Sequence, residues 1–145
     1  MNFNALIDQL LKGVISPAQR TLIEMIIHES VVAQVDPVLA VSMAILESAL
    51  NPQAMGDNFT SFGLYQLHKG GELGIMTETE AFDPVKNTRV ALAFLKKFEK
   101  PGLNPGEWAA ASQRPKHPEI YAYTVNLMYP MVKSLMSKLG VYHAE

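Results

Sequence analysis

Apolar positions recur at helical spacing along most of this chain and lose that spacing over one central stretch. Leu6, Leu10 and Leu11 fall on one side of a short amphipathic helix predicted over about residues 3–13. Leu22, Met25, Ile26 and Val32 mark a second over about 17–34. From about 37 to 50 the run PVLAVSMAILESAL is apolar nearly all round, the pattern of a central buried helix. Val85, Ala91, Leu92 and Leu95 predict a helix over about 84–99, and a short one containing Trp108 covers about 105–113. A last helix is expected over about 118–139, kinked at Pro130. The pairs Ser16-Pro17, Asp36-Pro37, Asp83-Pro84 and Asn104-Pro105 each join an N-cap residue to a proline at the first helical position, with His117-Pro118 a weaker fifth.

Between Leu50 and Asp83 the helical period disappears, and Pro52, Gly56, Gly63, Gly70, Gly71 and Gly74 punctuate the chain. Short stretches such as Phe62–Leu67 suit extended backbone, so a long ordered loop or small β-hairpin region is expected beside the central helix. A loop of that length inside a compact domain usually carries function. There is no internal repeat, low-complexity segment or linker, and 145 residues suffice for one domain with a core but are short for two. The expectation is a mainly α single domain over residues 1–145.

Composition narrows the chemistry. Hydrophobic residues make up 48%, as in folded globular proteins. A net charge of −2, from 12 basic and 14 acidic residues, gives no electrostatic reason to expect nucleic acid or an anionic membrane as partner. The absence of cysteine excludes disulfides, thiolate nucleophiles and cysteine-based zinc sites. MNFNALIDQLLKGV does not read as a secretory signal, since basic residues are missing from its start and Asp8 and Gln9 interrupt the apolar stretch. The longest strongly apolar run, Val38–Leu46, is far below the ~20 residues that span a bilayer, so no stable membrane insertion is expected. His28, His68, His117 and His143 lack metal-ligand spacing; His28-Glu29 opens like a zinc-protease helix, but the second histidine position holds Val32. Neither a Gly-x-Ser-x-Gly elbow nor a P-loop occurs, and no metal or cofactor is expected.

Glu47 is the only charged side chain from Pro37 to Gly56. In such company a carboxyl group is hydrogen-bonded, exposed, or kept partly protonated by desolvation. The last state leaves an acid able to donate a proton near neutral pH, which glycosidic bond cleavage needs. An ion pair with Arg or Lys, or a solvent-facing position at the helix end, is the ordinary alternative. Asp57 follows Gly56 in a turn that its own side chain can cap. Ser48 is equally a polar residue at a helix end, and Gly63 serves either close ligand approach or a tight bend. Gln66 suits sugar hydroxyls or its own loop. Tyr121, Tyr123, Tyr129 and Trp108 read first as core packing with polar tips at the rim.

The order of these pieces resembles the goose-type lysozyme and soluble lytic transglycosylase family over about residues 30–130. Glu47-Ser48-Ala49-Leu50-Asn51-Pro52-Gln53-Ala54 matches its helix-ending Glu-Ser followed by Asn-Pro-x-Ala. Gly63-Leu64-Tyr65-Gln66 matches Gly-Leu-Met-Gln with Tyr65 in place of Met. Phe82-Asp83-Pro84 with Asn87 matches Asp-Pro-x-x-Asn, and Tyr121 with Val125 resembles the family's tyrosine-bearing last helix. The segment Ala109–Pro115 departs from the family's Ala-Tyr-Asn-x-Gly, with Gln113 standing for the asparagine.

The resemblance implies a lysozyme-like fold and cleavage of the β-1,4 bond between N-acetylmuramic acid and N-acetylglucosamine in peptidoglycan. Glu47 would be the general acid, with Ser48, Ser61, Gly63, Leu64, Tyr65, Gln66, Gln113 and Tyr121 contacting the glycan. In the transglycosylase route, preferred here, one carboxyl suffices: Glu47 protonates the leaving oxygen and then accepts the C6 hydroxyl proton, giving a 1,6-anhydro end. The hydrolytic alternative uses Asp57 to activate water; the second aspartate expected for that role is replaced by His68. The partners implied are peptidoglycan glycan strands, met by a monomer acting on the bacterial wall in the periplasm. Without a signal, a bacteriophage lysin is the expected setting, held in the host cytoplasm before release or carried in the virion. Competing classes are a non-catalytic glycan-binding or structural domain and a helical interaction module with an exposed apolar patch.

Overall fold

The computed structural model describes residues 3–12 and 14–142. Helices α1 (Phe3–Leu11), α2 (Pro17–Ala33) and α3 (Pro37–Ser48) come first. The two-residue strands β1 (Met55–Gly56), β2 (Ser61–Phe62) and β3 (Leu67–His68) follow, then α4 (Glu78–Ala81), α5 (Pro84–Phe98), α6 (Pro105–Gln113) and α7 (Pro118–Lys138). The fold is the mainly helical, lysozyme-like arrangement expected, with a small antiparallel sheet of order β1-β2-β3.

The Xaa-Pro pairs begin helices for the reason read from them. Side-chain oxygens of Ser16, Asp36, Asp83 and Asn104 accept from backbone N–H groups of the first turn, satisfying donors that have no partner within the helix. His117 makes no such bond. α4 escaped the apolar pattern; its start is a capping box between Thr77 and Glu80. α7 runs unbroken through Pro130.

Three expectations need correction, the first being Tyr123, which is 66% exposed and not packed in the core. Val32 is 67% exposed, and the buried positions of α2 are Ile23, Ile26, Glu29 and Ser30. Val32 lies two residues past Ser30, about 200° around the helix and therefore on the opposite face. Phe62–Leu67 is not one extended stretch: Phe62 closes β2 and Leu67 opens β3, with positive φ at Gly63 (80°) and Gln66 (50°) turning the chain between them. Leu10 of α1 is buried as expected, while the side chains of Leu6 and Leu11, and all of His143, lie outside the described residues.

α3 forms the centre. Val38 to Ile45 are all buried, with α2 and α7 packed against them. Glu29 on α2 accepts a two-pronged bond from Arg89 on α5 at 3.0 and 3.1 Å. Trp108 Nε1 donates to the Leu95 carbonyl at 2.6 Å, tying α6 to α5.

One buried amide fixes the central loop to the helices. Asn87 Oδ1 accepts from Tyr65 N at 2.9 Å, and Nδ2 donates to the carbonyls of Phe62 (3.0 Å) and Ala81 (2.8 Å). Gly63 lies so close that a Cβ there would collide with Asn87 Nδ2 and the Ala81 carbonyl. Tyr65 is buried, its hydroxyl donating to the Ala40 carbonyl of α3 at 2.6 Å. The segment 62–66 is thereby pinned against both α3 and α5.

Candidate active site

Pinning that segment beside the C-terminal end of α3 opens a cleft of about 540 Å³. Glu47 enters it from α3, Asp57 from the β1–β2 turn, Ser61 and His68 from the sheet, Gln66 from the β2–β3 turn, and Tyr121 from α7. Glu72, in the loop after β3, and Gln113 and Arg114, at the end of α6, complete the wall with Gly71, Pro115 and Lys116.

Glu47 has a specific partner. The Tyr121 hydroxyl donates to Glu47 Oε2 at 2.7 Å. Burial pushes the Glu47 carboxyl above the usual carboxylate range; the Tyr121 hydroxyl and the Gln113 amide oppose that, and the negative charges of Asp57 and Glu72 reinforce it. Burial, together with the same carboxylate, drives the Tyr121 phenol well above its ordinary value, so Tyr121 stays a hydrogen-bond donor. No Arg or Lys pairs with Glu47 among the described ion pairs, which removes the structural ion pair as an account of this residue.

The Asp57 carboxylate is engaged from the sheet. Ser61 Oγ donates to Asp57 Oδ2 at 2.6 Å and lies 3.1 Å from His68 Nδ1. Gln113 Nε2 donates to the Tyr65 carbonyl at 3.2 Å, holding α6 to the pinned segment. Gln66 spends both amide hydrogens on its own loop, at the carbonyls of Ala54 and Gly63. Gly56 packs so tightly on Gln66 Oε1 that no Cβ fits between them.

Among the described residues, eight non-glycine positions have positive φ, and all but Gln34 fall in segments bordering the cleft: Ala49, Leu50, Asp57, Asn58, Phe59, Gln66 and Arg114. Such conformations cost about 1 kcal/mol or more each and concentrate where a backbone must aim side chains at a site.

Of the residues expected to form the site, Glu47, Asp57, Ser61, Gln66, Gln113 and Tyr121 come together in this cleft. Ser48, Gly63, Leu64 and Tyr65 do not line it. Ser48 is buried with its hydroxyl on the Ala44 carbonyl, and Leu64 and Tyr65 belong to the core. Their part is to shape the wall. Glu72 and Arg114, paired at 3.4 Å, were not anticipated; they are far apart in sequence, and neither sits in a motif that marks it. His68, which in the sequence lacks metal-ligand spacing and departs from the family pattern, also lines the cleft. No group of three His, Cys, Asp or Glu among the described residues is placed to hold a metal ion. No described helix is long and apolar enough to cross a membrane.

The family model described as Transglycosylase SLT domain matches residues 24–113. It takes in α3, the sheet, α5 and α6 and stops before α7, so Tyr121 lies beyond it. No curated protein and no solved structure matches the chain.

Proposed function

The chain belongs to the transglycosylase SLT domain family, and from that premise we propose that it cleaves the glycan strands of peptidoglycan with Glu47 as general acid. The family's activity is of the peptidoglycan lytic transglycosylase type. The observation that carries the residue assignment is the 2.7 Å bond from Tyr121 to a Glu47 carboxyl that burial holds above its usual range, inside a cleft large enough for sugars. A protonated carboxyl held in one orientation can deliver its proton to the glycosidic oxygen. As the C1–O bond breaks, the N-acetyl group of the muramic residue assists at C1. The Glu47 carboxylate then takes the proton from the C6 hydroxyl as that oxygen attacks C1, which returns Glu47 to its acid form and leaves a 1,6-anhydro end. The site needs no metal for this, and the unbroken core cluster from Ile7 to Met136 supports reading the chain as one catalytic domain.

A second reading, hydrolysis with Asp57 activating water, is favoured by one observation: Asp57 faces the same cleft as Glu47. Digestion of purified peptidoglycan by the wild type and by Glu47→Gln tests the main reading. Soluble muropeptides from the wild type and at least about 100-fold less from the variant are expected. Equal, background-level release from both would identify a non-catalytic glycan-binding domain instead. Mass spectrometry of the fragments separates the two chemistries, since anhydro ends are lighter than hydrolysed ends by one water.

A further inference from the structure

The one-carboxyl route leaves a connected set of polar groups in the cleft unused. Ser61 is 1% exposed, and its Oγ bridges Asp57 Oδ2 and His68 Nδ1 at 2.6 and 3.1 Å. An ionised carboxylate only accepts hydrogen bonds, so the single hydroxyl proton of Ser61 is committed to Asp57. Oγ then faces Nδ1 with lone pairs, and Nδ1 must be the donor. Neutral His68 is thereby fixed as the tautomer carrying Nδ1–H, with an unprotonated Nε2. The His68 side chain is exposed and lines the cleft. Asp57 is itself held firmly: it opens three successive left-handed residues, and Thr60 Oγ1 donates to its carbonyl at 2.6 Å.

We propose that His68 is a second catalytic base of this cleft, whose Nε2 takes a proton from water attacking the anomeric carbon, and that Asp57 and Ser61 are positioning residues that fix its tautomer. The proposal rests on the reading of Glu47 as general acid and adds a hydrolytic branch beside the anhydro route. In that branch the C1–O bond breaks as Glu47 gives its proton to the leaving oxygen. A water oxygen bonds to C1, and one water proton passes to His68 Nε2. Solvent then removes the proton from His68 and restores one to Glu47, so the net change is one water consumed per bond cleaved. The other ionisable groups facing this cleft are Glu47 from α3, Asp57 from the β1–β2 turn, Glu72 from the loop after β3, Arg114 and Lys116 from the segment ending α6, and Tyr121 from α7.

The test is a count of hydrolysed and anhydro ends, by mass spectrometry, in peptidoglycan digested by the full chain and its variants. The wild type is expected to give both. His68→Asn keeps a donor for Ser61 but has no basic nitrogen; it should lower the ratio of hydrolysed to anhydro ends by at least about tenfold. Asp57→Asn keeps an acceptor for the Ser61 proton and should retain most of the hydrolysed product. His68→Asp should restore hydrolysed ends in part, with the acid limb of their pH profile moved to lower pH, because a carboxylate is a weaker base than an imidazole. Anhydro ends alone from the wild type, an equal fall of both products in His68→Asn, or hydrolysis lost in Asp57→Asn but kept in His68→Asn would overturn the proposal while leaving the role of Glu47 intact. Absence of any Glu47-dependent fragment would overturn both.

Discussion

The Tyr121 hydroxyl donates to Glu47 Oε2 at 2.7 Å and joins the start of α7 to the end of α3. Two opposed effects meet in that bond. Burial favours the neutral acid, while the phenol hydrogen bond favours the carboxylate. Tyr121 therefore limits how far the Glu47 acidity is weakened, and it fixes where the proton points.

Removing the hydroxyl separates those roles. In Tyr121→Phe one of the two groups holding the Glu47 carboxyl down is gone, so its titration moves further up. A general acid must be protonated to act, so the alkaline limb of kcat/KM on purified peptidoglycan should move to higher pH. The plateau should fall, on the order of tenfold, because the carboxyl is no longer held in one orientation. An alkaline limb displaced to lower pH would contradict the arrangement.

Glu47 should also cost stability. A carboxyl whose folded pKa lies above its unfolded value binds more protons in the native state. Its contribution is fully present below the unfolded pKa and is lost as pH rises through the window up to the raised folded value. Glu47→Gln keeps an acceptor for Tyr121 and carries no charge, so it escapes that loss. The variant should melt at a higher temperature than the wild type at pH 7, and the gap should close at acidic pH. Thermal unfolding followed by circular dichroism at the two pH values measures this directly.

Much of this was legible because it is local. The Xaa-Pro pairs encode helix starts within a few residues, and the apolar run around Glu47 marks a buried helix with one polar intruder. The Glu-Ser and Gly-Leu-x-Gln pieces contribute Glu47 and Gln66 to the cleft, and Asp-Pro-x-x-Asn supplies Asn87, which pins the segment between β2 and β3. What the chain does not display is which way a side chain turns. Leu64 and Tyr65 sit in a motif beside the cleft yet point into the core, because the left-handed residues flanking them, Gly63 and Gln66, set the direction. The Glu72–Arg114 pair forms only when distant loops meet, and the Ser61–His68 contact only once β2 and β3 pair. No periodicity encodes them.

Asn87 should be among the costliest polar residues to remove. It is fully buried and satisfies Tyr65 N and the carbonyls of Phe62 and Ala81. Each backbone group left unpaired in the interior costs about 1–3 kcal/mol. Asn87→Ala is therefore expected to lose about 3 kcal/mol or more in urea unfolding. Asn87→Asp keeps the acceptor for Tyr65 N but turns an oxygen against two carbonyls, and should be no less destabilising. A loss below about 1 kcal/mol in both would mean that water or a shift of the loop replaces the amide.

Two glycines allow backbone conformation to be separated from close packing. Gly63 and Gly70 have nearly the same positive φ, 80° and 85°. An alanine at either suffers the left-handed conformation, at about 1–2 kcal/mol. At Gly70 the added methyl meets nothing within 4 Å. At Gly63 it would run into the Ala81 carbonyl and Asn87 Nδ2, atoms held by the hydrogen bonds that pin the segment and so unable to yield. Gly63→Ala should thus be more destabilising than Gly70→Ala by about 1–3 kcal/mol, the usual cost of forcing extra volume into a packed interior. Urea midpoints of the two variants give the difference, with the conformational part cancelling between them. Equal losses would mean that φ alone explains the glycine in the Gly63-Leu64-Tyr65-Gln66 segment. A larger loss at Gly63 would assign it to the close approach of this loop to Ala81 and Asn87, the contact that pins the segment beside the cleft.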